Sequence, residues 1–158
     1  MPRLIYIETS IPSFYFDTRT TVELRARRNW TVRWWDKSVP GDERVTSAVV
    51  LEELEHAPEP KRRHCLSLIA RLTLLPYTGE VAEIVETYHR HKVMPVEASA
   101  AADHLALATF HRCDMLVTWN CQHIANANKF PHIRRINALL GYETPQLVTP
   151  LELLSPDL

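Results

Sequence analysis

The sequence is poor in the residues that build flexible or covalently cross-linked proteins. It contains three glycines and three cysteines in 158 residues. So few glycines leave no Gly/Ser linker and little room for a flexible hinge. The cysteines are odd in number, and Cys65, Cys113 and Cys121 form no CxxC pair. This pattern argues against a disulfide framework and against a structural zinc site.

Long apolar runs and targeting signals are also missing. No apolar run approaches the roughly 20 residues that a helix needs to span a bilayer. The N-terminus, Met1-Pro2-Arg3-Leu4, lacks the basic, apolar and small-residue order of a secretory signal. No HExxH motif is present, so we expect no catalytic zinc site. These absences predict a cytoplasmic protein that does not associate with membranes.

The chain has little net charge. A formal charge of −1 excludes a nucleic-acid binder that is basic overall. Basic residues are nevertheless concentrated in one stretch, at Arg19, Arg25, Arg27, Arg28, Arg33 and Lys37. We interpret this stretch as the solvated face of an amphipathic helix, with contacts to nucleic-acid phosphates as the alternative.

What is present is a regular alternation of strand-like and helical segments. This order predicts an α/β fold with a central parallel sheet, and the length predicts a single domain over 1–158. Strands are expected at 3–8, 44–47, 72–77, 114–118 and 147–148. Helices are expected at 20–37, 48–56, 61–72, 80–91, 98–110 and 131–140, with a turn or short helix at 11–16.

Two sequence signals mark helix starts, and three tryptophans lie on the first long helix. Thr20-Thr21-Val22-Glu23 and Thr149-Pro150-Leu151-Glu152 have the spacing of capping boxes. Trp30, Trp34 and Trp35 fall near one face of the helix at 20–37. We interpret them as core or subunit-contact residues rather than as base-stacking residues.

Four polar residues lie where a parallel sheet would collect them. Glu8 follows the first strand, Glu53 lies in the helix after the second, and Asn120 follows the strand at 114–118. Asp103 interrupts a helix of small and apolar residues. Carboxyl ends of parallel strands share one edge of the sheet, so these groups are expected to converge. Crowded carboxylates need a cation, and oxygen ligands suit Mg²⁺ or Mn²⁺.

Each of these residues has an ordinary structural explanation when it is taken alone. Glu8 could cap the next turn, and Asn120 could be a helix N-cap. Periodicity barely separates Glu53 from its neighbours Glu52 and Glu55. Asp103 must lie either at a site or in a buried pair, because a lone acid is costly to bury. The metal site is therefore predicted from the set and not from any one member.

The order of these segments resembles that of a PIN domain. The similar segments are Tyr6-Ile7-Glu8-Thr9-Ser10, Ser47 with Glu53-Leu54, Asp103 to Ala108, Leu116 to Asn120 with His123-Ile124, and Thr149 to Leu153. The resemblance covers essentially the whole chain and is greatest to VapC-type toxin ribonucleases of type II toxin–antitoxin operons. It implies a three-layer α/β/α fold with a central parallel sheet. It also implies Mg²⁺- or Mn²⁺-dependent RNA cleavage, a homodimer and a cognate antitoxin.

The resemblance also implies roles for individual residues. Glu8, Glu53 and Asp103 would hold the metal, and it selects Glu53 over Glu52. Asn120 would be a ligand or would orient a water molecule. The remaining implied residues support the carboxylates (Thr9, Ser10, Thr118) or contact substrate (His123). Aspartate is usual at the positions of Glu8 and Asn120, so weaker metal binding is expected here.

Other functions compete with this interpretation. Glu8 and Asn120 favour a non-catalytic PIN-like module that binds RNA or protein. A phosphatase or a DNA-directed nuclease would keep the same fold with a different substrate. A response-regulator receiver requires an acid pair after the first strand, and Glu8 has no acidic neighbour.

Overall fold

The computed structural model describes residues 2–37 and 39–154 as an α/β protein. Its strands are Arg3–Ile7 (β1), Asp42–Thr46 (β2), Thr73–Leu74 (β3), Met115–Val117 (β4) and Gln146–Val148 (β5). Its α-helices are Ser10–Tyr15 (α1), Val22–Asp36 (α2), Ala48–Leu54 (α3), Lys61–Ile69 (α4), Gly79–Arg90 (α5), Ser99–Phe110 (α6), Phe130–Leu140 (α7) and Pro150–Leu153 (α8). A 3₁₀ helix, Val96–Ala98, leads into α6.

The five strands form one parallel sheet in the order β3-β2-β1-β4-β5. β1 is central, with β2 on one side and β4 on the other. The chain therefore leaves β1 in one direction and later returns to its other side. Such a reversal opens a crevice beyond the carboxyl ends of the two strands, which is where ligands bind in open α/β sheets.

Both faces of the sheet are covered by helices. Ile5 and Ile7 of β1 pack on one face with residues of α1, α2 and α8, whereas Tyr6 packs on the other. The second face carries the larger core, to which α3, α4, α5, α6 and α7 contribute. Successive strand residues point to opposite faces, so this alternation requires apolar cover on both sides. The predicted three-layer α/β/α fold is confirmed.

The predicted elements are present, with ends that differ by a few residues. The segment at 11–16 is helical, and the capping box at Thr149 and Glu152 is confirmed. The capping box predicted with Thr20 as the N-cap is wrong, because α2 begins at Val22 and not at Thr21. Thr21 is the N-cap, and its hydroxyl accepts a hydrogen bond from the Leu24 amide at 3.4 Å. Glu23 instead pairs with Arg27, one turn along the helix.

The tryptophans of α2 pack against the sheet. Trp34 is buried, and the Trp30 ring stacks on the ring of Trp119 with 6.1 Å between centroids. The Trp119 indole N–H donates to the Thr31 hydroxyl at 2.7 Å. These contacts join α2 to the segment that follows β4. Among the helices that the structure describes, none has both the length and the apolar character to cross a membrane.

Candidate active site

A cleft of about 500 Å³ opens at the carboxyl ends of the central strands. Its polar lining includes Glu8, Glu53, Glu97, His104, Asn120 and His123. It therefore gathers three of the four residues that the sequence predicts for the site, Glu8, Glu53 and Asn120.

The register of the sheet places Glu8 in this cleft. Ile7 pairs with Val117, so the next residues, Glu8 and Thr118, leave β1 and β4 side by side. Glu8 also continues the alternation that sends Tyr6 to the face covered by α3 and α6. Two short strands thus deliver a carboxylate and a hydroxyl to the same point.

The Glu8 carboxylate is almost fully buried, with 6% of the residue exposed. Its Oε1 accepts hydrogen bonds from the Ser10 amide at 3.0 Å, from the Ser10 hydroxyl and from the Thr118 hydroxyl at 2.6 Å. Hydrogen bonds to a charged acceptor are the strong ones, and they offset the cost of burying the carboxylate. Glu8 is held in one orientation before any ligand arrives.

The Glu53 carboxylate reaches the cleft from α3 and is less buried than Glu8. Its Oε1 accepts hydrogen bonds from the Thr9 hydroxyl and from His104 Nε2, both at 2.6 Å. Burial alone would raise the pKa of Glu53. The hydrogen bond and charge of His104, together with the Thr9 hydrogen bond, outweigh burial and lower that pKa below its ordinary value.

His104 connects the cleft to the core. It is 1% exposed, and its Nδ1 lies 2.8 Å from the Tyr6 hydroxyl. That hydroxyl also lies 2.7 Å from Ser47 Oγ. Burial raises the pKa of Tyr6 well above its ordinary value, so the phenol stays protonated. A continuous chain of hydrogen bonds therefore runs from Ser47 through Tyr6 and His104 to Glu53.

Glu8, Glu53 and His104 are close enough to surround one cation. One ligand atom from each lies within 4.8 Å of the others. All of the hydrogen bonds that described residues make to the two carboxylates fall on Oε1. Oε2 of each carboxylate remains for another ligand. The closest approach of His104 to Glu8 is 4.0 Å, between Nε2 and Oε2.

Asn120 lines the cleft and also stabilises the turn that follows it. Its Oδ1 accepts a hydrogen bond from the His123 amide at 3.0 Å, but the residues that follow form a turn and not the helix of the N-cap alternative. The backbone N–H of Asn120 donates to the Thr118 hydroxyl at 2.9 Å. His123 also lines the cleft, and its Nδ1 has no hydrogen-bond partner among the described residues. Burial, together with the charge of Lys129, lowers the pKa of His123.

The structure places Asp103 outside the lining of this cleft. Its carboxylate accepts a hydrogen bond from the Tyr77 hydroxyl at 2.8 Å. Successive residues on a helix point about 100° apart, so the side chains of Asp103 and His104 leave α6 in different directions. The residues of α6 that line the cleft are Ser99, Ala100, Ala101 and His104. Burial raises the pKa of Asp103 above its ordinary value.

His104, Tyr6 and Ser47 are site residues to which the sequence assigns no role. Eight residues of α6, including His104, are buried, so this helix has no polar face from which an inward direction could be read. The sequence does contain one signal: His104 is a polar residue on a helix that has few of them. A buried histidine needs hydrogen-bond partners, which marks it as a candidate.

The comparisons with known proteins give a likeness in structure. No protein-family model matches the sequence, and no curated protein sequence matches it. A structural match exists to a chain of VapBC2 from Rickettsia felis, solved bound to a DNA fragment from their promoter. That match has a TM-score of 0.53 at 14% sequence identity and covers 92% of this chain and 96% of the other. At this identity the likeness shows the fold, and the chain therefore has the three-layer PIN-like α/β/α fold that its sequence motifs resemble.

Proposed function

We propose that this chain is an endoribonuclease that depends on Mg²⁺ or Mn²⁺. One observation carries the proposal: Glu8 and Glu53 come from different elements and converge in a cleft at the reversal point of the sheet. Each carboxylate is fixed through Oε1, which leaves Oε2 for a ligand. Two oriented carboxylates in an open cleft suit binding of a hard cation.

The donor chemistry at the site fits a divalent cation. Glu8 and Glu53 would hold it, and the Asn120 amide oxygen, already bonded to the His123 amide, would contribute weakly. Because Asp103 lies outside the lining of the cleft, we give it no direct contact with the ion. A site with two carboxylates has a moderate negative charge, and this favours the binding of a single cation.

The residues of the chain orient the reacting groups. When bound, Mg²⁺ or Mn²⁺ would supply an activated water molecule and neutralise charge on the scissile phosphate. Thr9, Ser10 and Thr118 fix the carboxylates through their hydroxyls. In the proposed hydrolysis, water oxygen bonds to phosphorus and the bond from phosphorus to the 3′ oxygen breaks. The products are a 3′-hydroxyl and a 5′-phosphate.

Partners follow from the same proposal. The structural match is to a chain of VapBC2, and this likeness supports a cognate antitoxin as the protein partner of this chain. A homodimer is part of the proposal through the sequence resemblance. Basic residues at 19–33 are proposed to contact RNA, although Arg19 is paired with Asp17 and Arg27 with Glu23.

Two observations favour a second candidate, a non-catalytic PIN-like module. Asp103 lies outside the cleft lining, and the Asn120 amide oxygen already accepts a hydrogen bond. The position of Asp103 reduces the negative charge available to a cation, and the hydrogen bond on Asn120 makes its amide oxygen a weaker ligand. Such a module would bind RNA or protein with little dependence on divalent ions.

The test is cleavage of a structured RNA by the purified chain with Mn²⁺, Mg²⁺ or EDTA. Glu53→Gln keeps the side-chain volume and removes the charge. Glu52→Gln makes the same change at the preceding, exposed position of α3 and is the matched control. We expect metal-dependent cleavage that falls by at least about 100-fold in Glu53→Gln, given that losing even a supporting contact weakens metal sites 10- to 100-fold.

The outcomes separate the candidates. Glu52→Gln is expected to cleave like the parent. Equal cleavage by the parent and Glu53→Gln would contradict the proposed site. RNA binding without cleavage, insensitive to EDTA, would favour the non-catalytic module.

A further inference from the structure

We propose that His104 is a positioning residue that holds Glu53 for the cation through a protonated Nε2, and that it is not itself a metal ligand. The proposal deepens the proposed function and depends on its metal site. It concerns a residue that lies within 4.8 Å of both carboxylates and would otherwise be taken as a third ligand.

The direction of the hydrogen bonds follows from the partners. A carboxylate only accepts hydrogen bonds, so the contact of 2.6 Å between His104 Nε2 and Glu53 Oε1 requires a proton on Nε2. A nitrogen that carries a proton has no lone pair for a cation. The hydrogen bond to Glu53 and a metal bond through Nε2 are therefore mutually exclusive.

The other side of the ring leaves no alternative metal-binding nitrogen. His104 Nδ1 lies 2.8 Å from the buried Tyr6 hydroxyl, which in turn lies 2.7 Å from Ser47. In neutral imidazole, Ser47 donates to Tyr6 and Tyr6 donates to Nδ1. In imidazolium, Nδ1 donates to Tyr6 and Tyr6 donates to Ser47. Both arrangements keep the proton on Nε2.

The two oxygens of the Glu53 carboxylate therefore have different roles. Oε1 is held by His104 and by the Thr9 hydroxyl, at 2.6 Å each. Oε2 is then presented to the cation in a fixed direction. Since His104 is only 1% exposed, its ring is fixed by the core and transmits that rigidity to Glu53.

Two substitutions separate positioning from coordination. The amide nitrogen of glutamine occupies the place of Nε2, whereas that of asparagine occupies the place of Nδ1. His104→Gln can therefore still donate to Glu53, and His104→Asn cannot. We expect Mn²⁺ affinity, measured by calorimetry, to fall by about 10- to 100-fold in His104→Asn and by less in His104→Gln, which keeps the donor to Glu53 and loses the contact with Tyr6.

Pulsed electron paramagnetic resonance of bound Mn²⁺ gives the direct readout. Nitrogen that coordinates Mn²⁺ produces ¹⁴N modulation of the spin echo. We expect no such modulation from His104. A ¹⁴N signal that is present in the parent and lost in His104→Gln would overturn the proposal. A signal that persists in His104→Gln would belong to another histidine, such as His123 in the cleft, and would support the assignment of His104.

A measurement without metal keeps this proposal distinct from the proposed function. ¹⁵N nuclear magnetic resonance of the His104 ring in the metal-free protein should show a protonated Nε2. An unprotonated Nε2 would overturn the proposal whether or not the chain cleaves RNA. Failure of the parent to bind Mn²⁺ would count against the metal-dependent nuclease, and the ring assignment would then be decided by this spectrum.

Discussion

Replacing Tyr6 by phenylalanine would remove the hydroxyl that joins His104 to Ser47 in the core. Tyr6 is fully buried, and its hydroxyl contacts both Ser47 Oγ and His104 Nδ1. Phenylalanine keeps the ring and its packing. The substitution therefore isolates the hydrogen bonds from the volume of the side chain.

The size of the effect follows from what is left unpaired. Ser47 and His104 are each 1% exposed, so water cannot readily replace the lost hydroxyl. An unsatisfied buried polar group costs about 1–3 kcal/mol of unfolding free energy. For a chain of this size, that loss lowers the melting temperature by about 2–4 °C for each kcal/mol.

Tyr88→Phe is the matched control. Tyr88 is also fully buried, and its hydroxyl donates to Asn137 Oδ1 at 2.6 Å and lies 3.3 Å from the Thr109 hydroxyl, within the core. Both variants are expected to lose stability in the same range. Only Tyr6→Phe should also weaken Mn²⁺ binding, by about 10-fold or more, because His104 loses the partner that fixes its ring.

The assays are urea unfolding of the metal-free proteins and calorimetric titration with Mn²⁺. Equal Mn²⁺ affinities in the two variants would refute the reasoning, since the hydrogen-bond chain would then have no influence on Glu53. A Tyr6→Phe protein as stable as the parent would also refute it, because the Tyr6 hydroxyl would then contribute nothing.

Two further predictions concern the pKa values of acids in or near the site. Asp103 has a pKa raised by burial, so its contribution to stability falls as pH rises from about 4, its ordinary pKa, through the raised value. The Asp103→Asn side chain can still accept the hydrogen bond from Tyr77, so this variant should be more stable than the parent to urea unfolding between pH 4 and 7. Its Mn²⁺ affinity should be near that of the parent. A loss of Mn²⁺ affinity as large as that in Glu53→Gln would show that Asp103 belongs to the metal site. Burial would raise the pKa of Glu53, but His104 and Thr9 lower it below its ordinary value of about 4.3. The contribution of Glu53 to folding stability is therefore fully present above about pH 4.3 and is lost as pH falls through the lowered pKa. Glu53→Gln should lose less stability than the parent between pH 5 and 3, and parallel stability curves for the two proteins would contradict this assignment.

The positions of Glu8 and Thr118 could be predicted from the sequence because strands impose a simple rule. A short apolar run followed by a polar residue predicts a strand with a polar group at its end. Parallel strands then bring such ends to one edge of the sheet, where the structure places Glu8 beside Thr118. The capping box at Thr149 is also local, and it is confirmed.

The helical residues of the site were harder to predict because a helix distributes its side chains around an axis. On α3 the sequence pattern barely separates Glu52 from Glu53, and only the resemblance to the PIN family favours Glu53. The structure brings Glu53 into the cleft and leaves Glu52 exposed. On a helix with one apolar face, periodicity would settle such a choice.

The sequence alone determined the order of the elements, the parallel sheet and the edge at which polar groups gather, because these follow from local pattern and chain connectivity. The tertiary structure decided which residue of α6 faces the cleft. α6 is buried around most of its circumference, so its sequence contains no signal for its rotation, and a difference of 100° exchanges Asp103 for His104. That rotation is set by packing against the sheet and α5, and it bonds His104 to Glu53 and Asp103 to Tyr77.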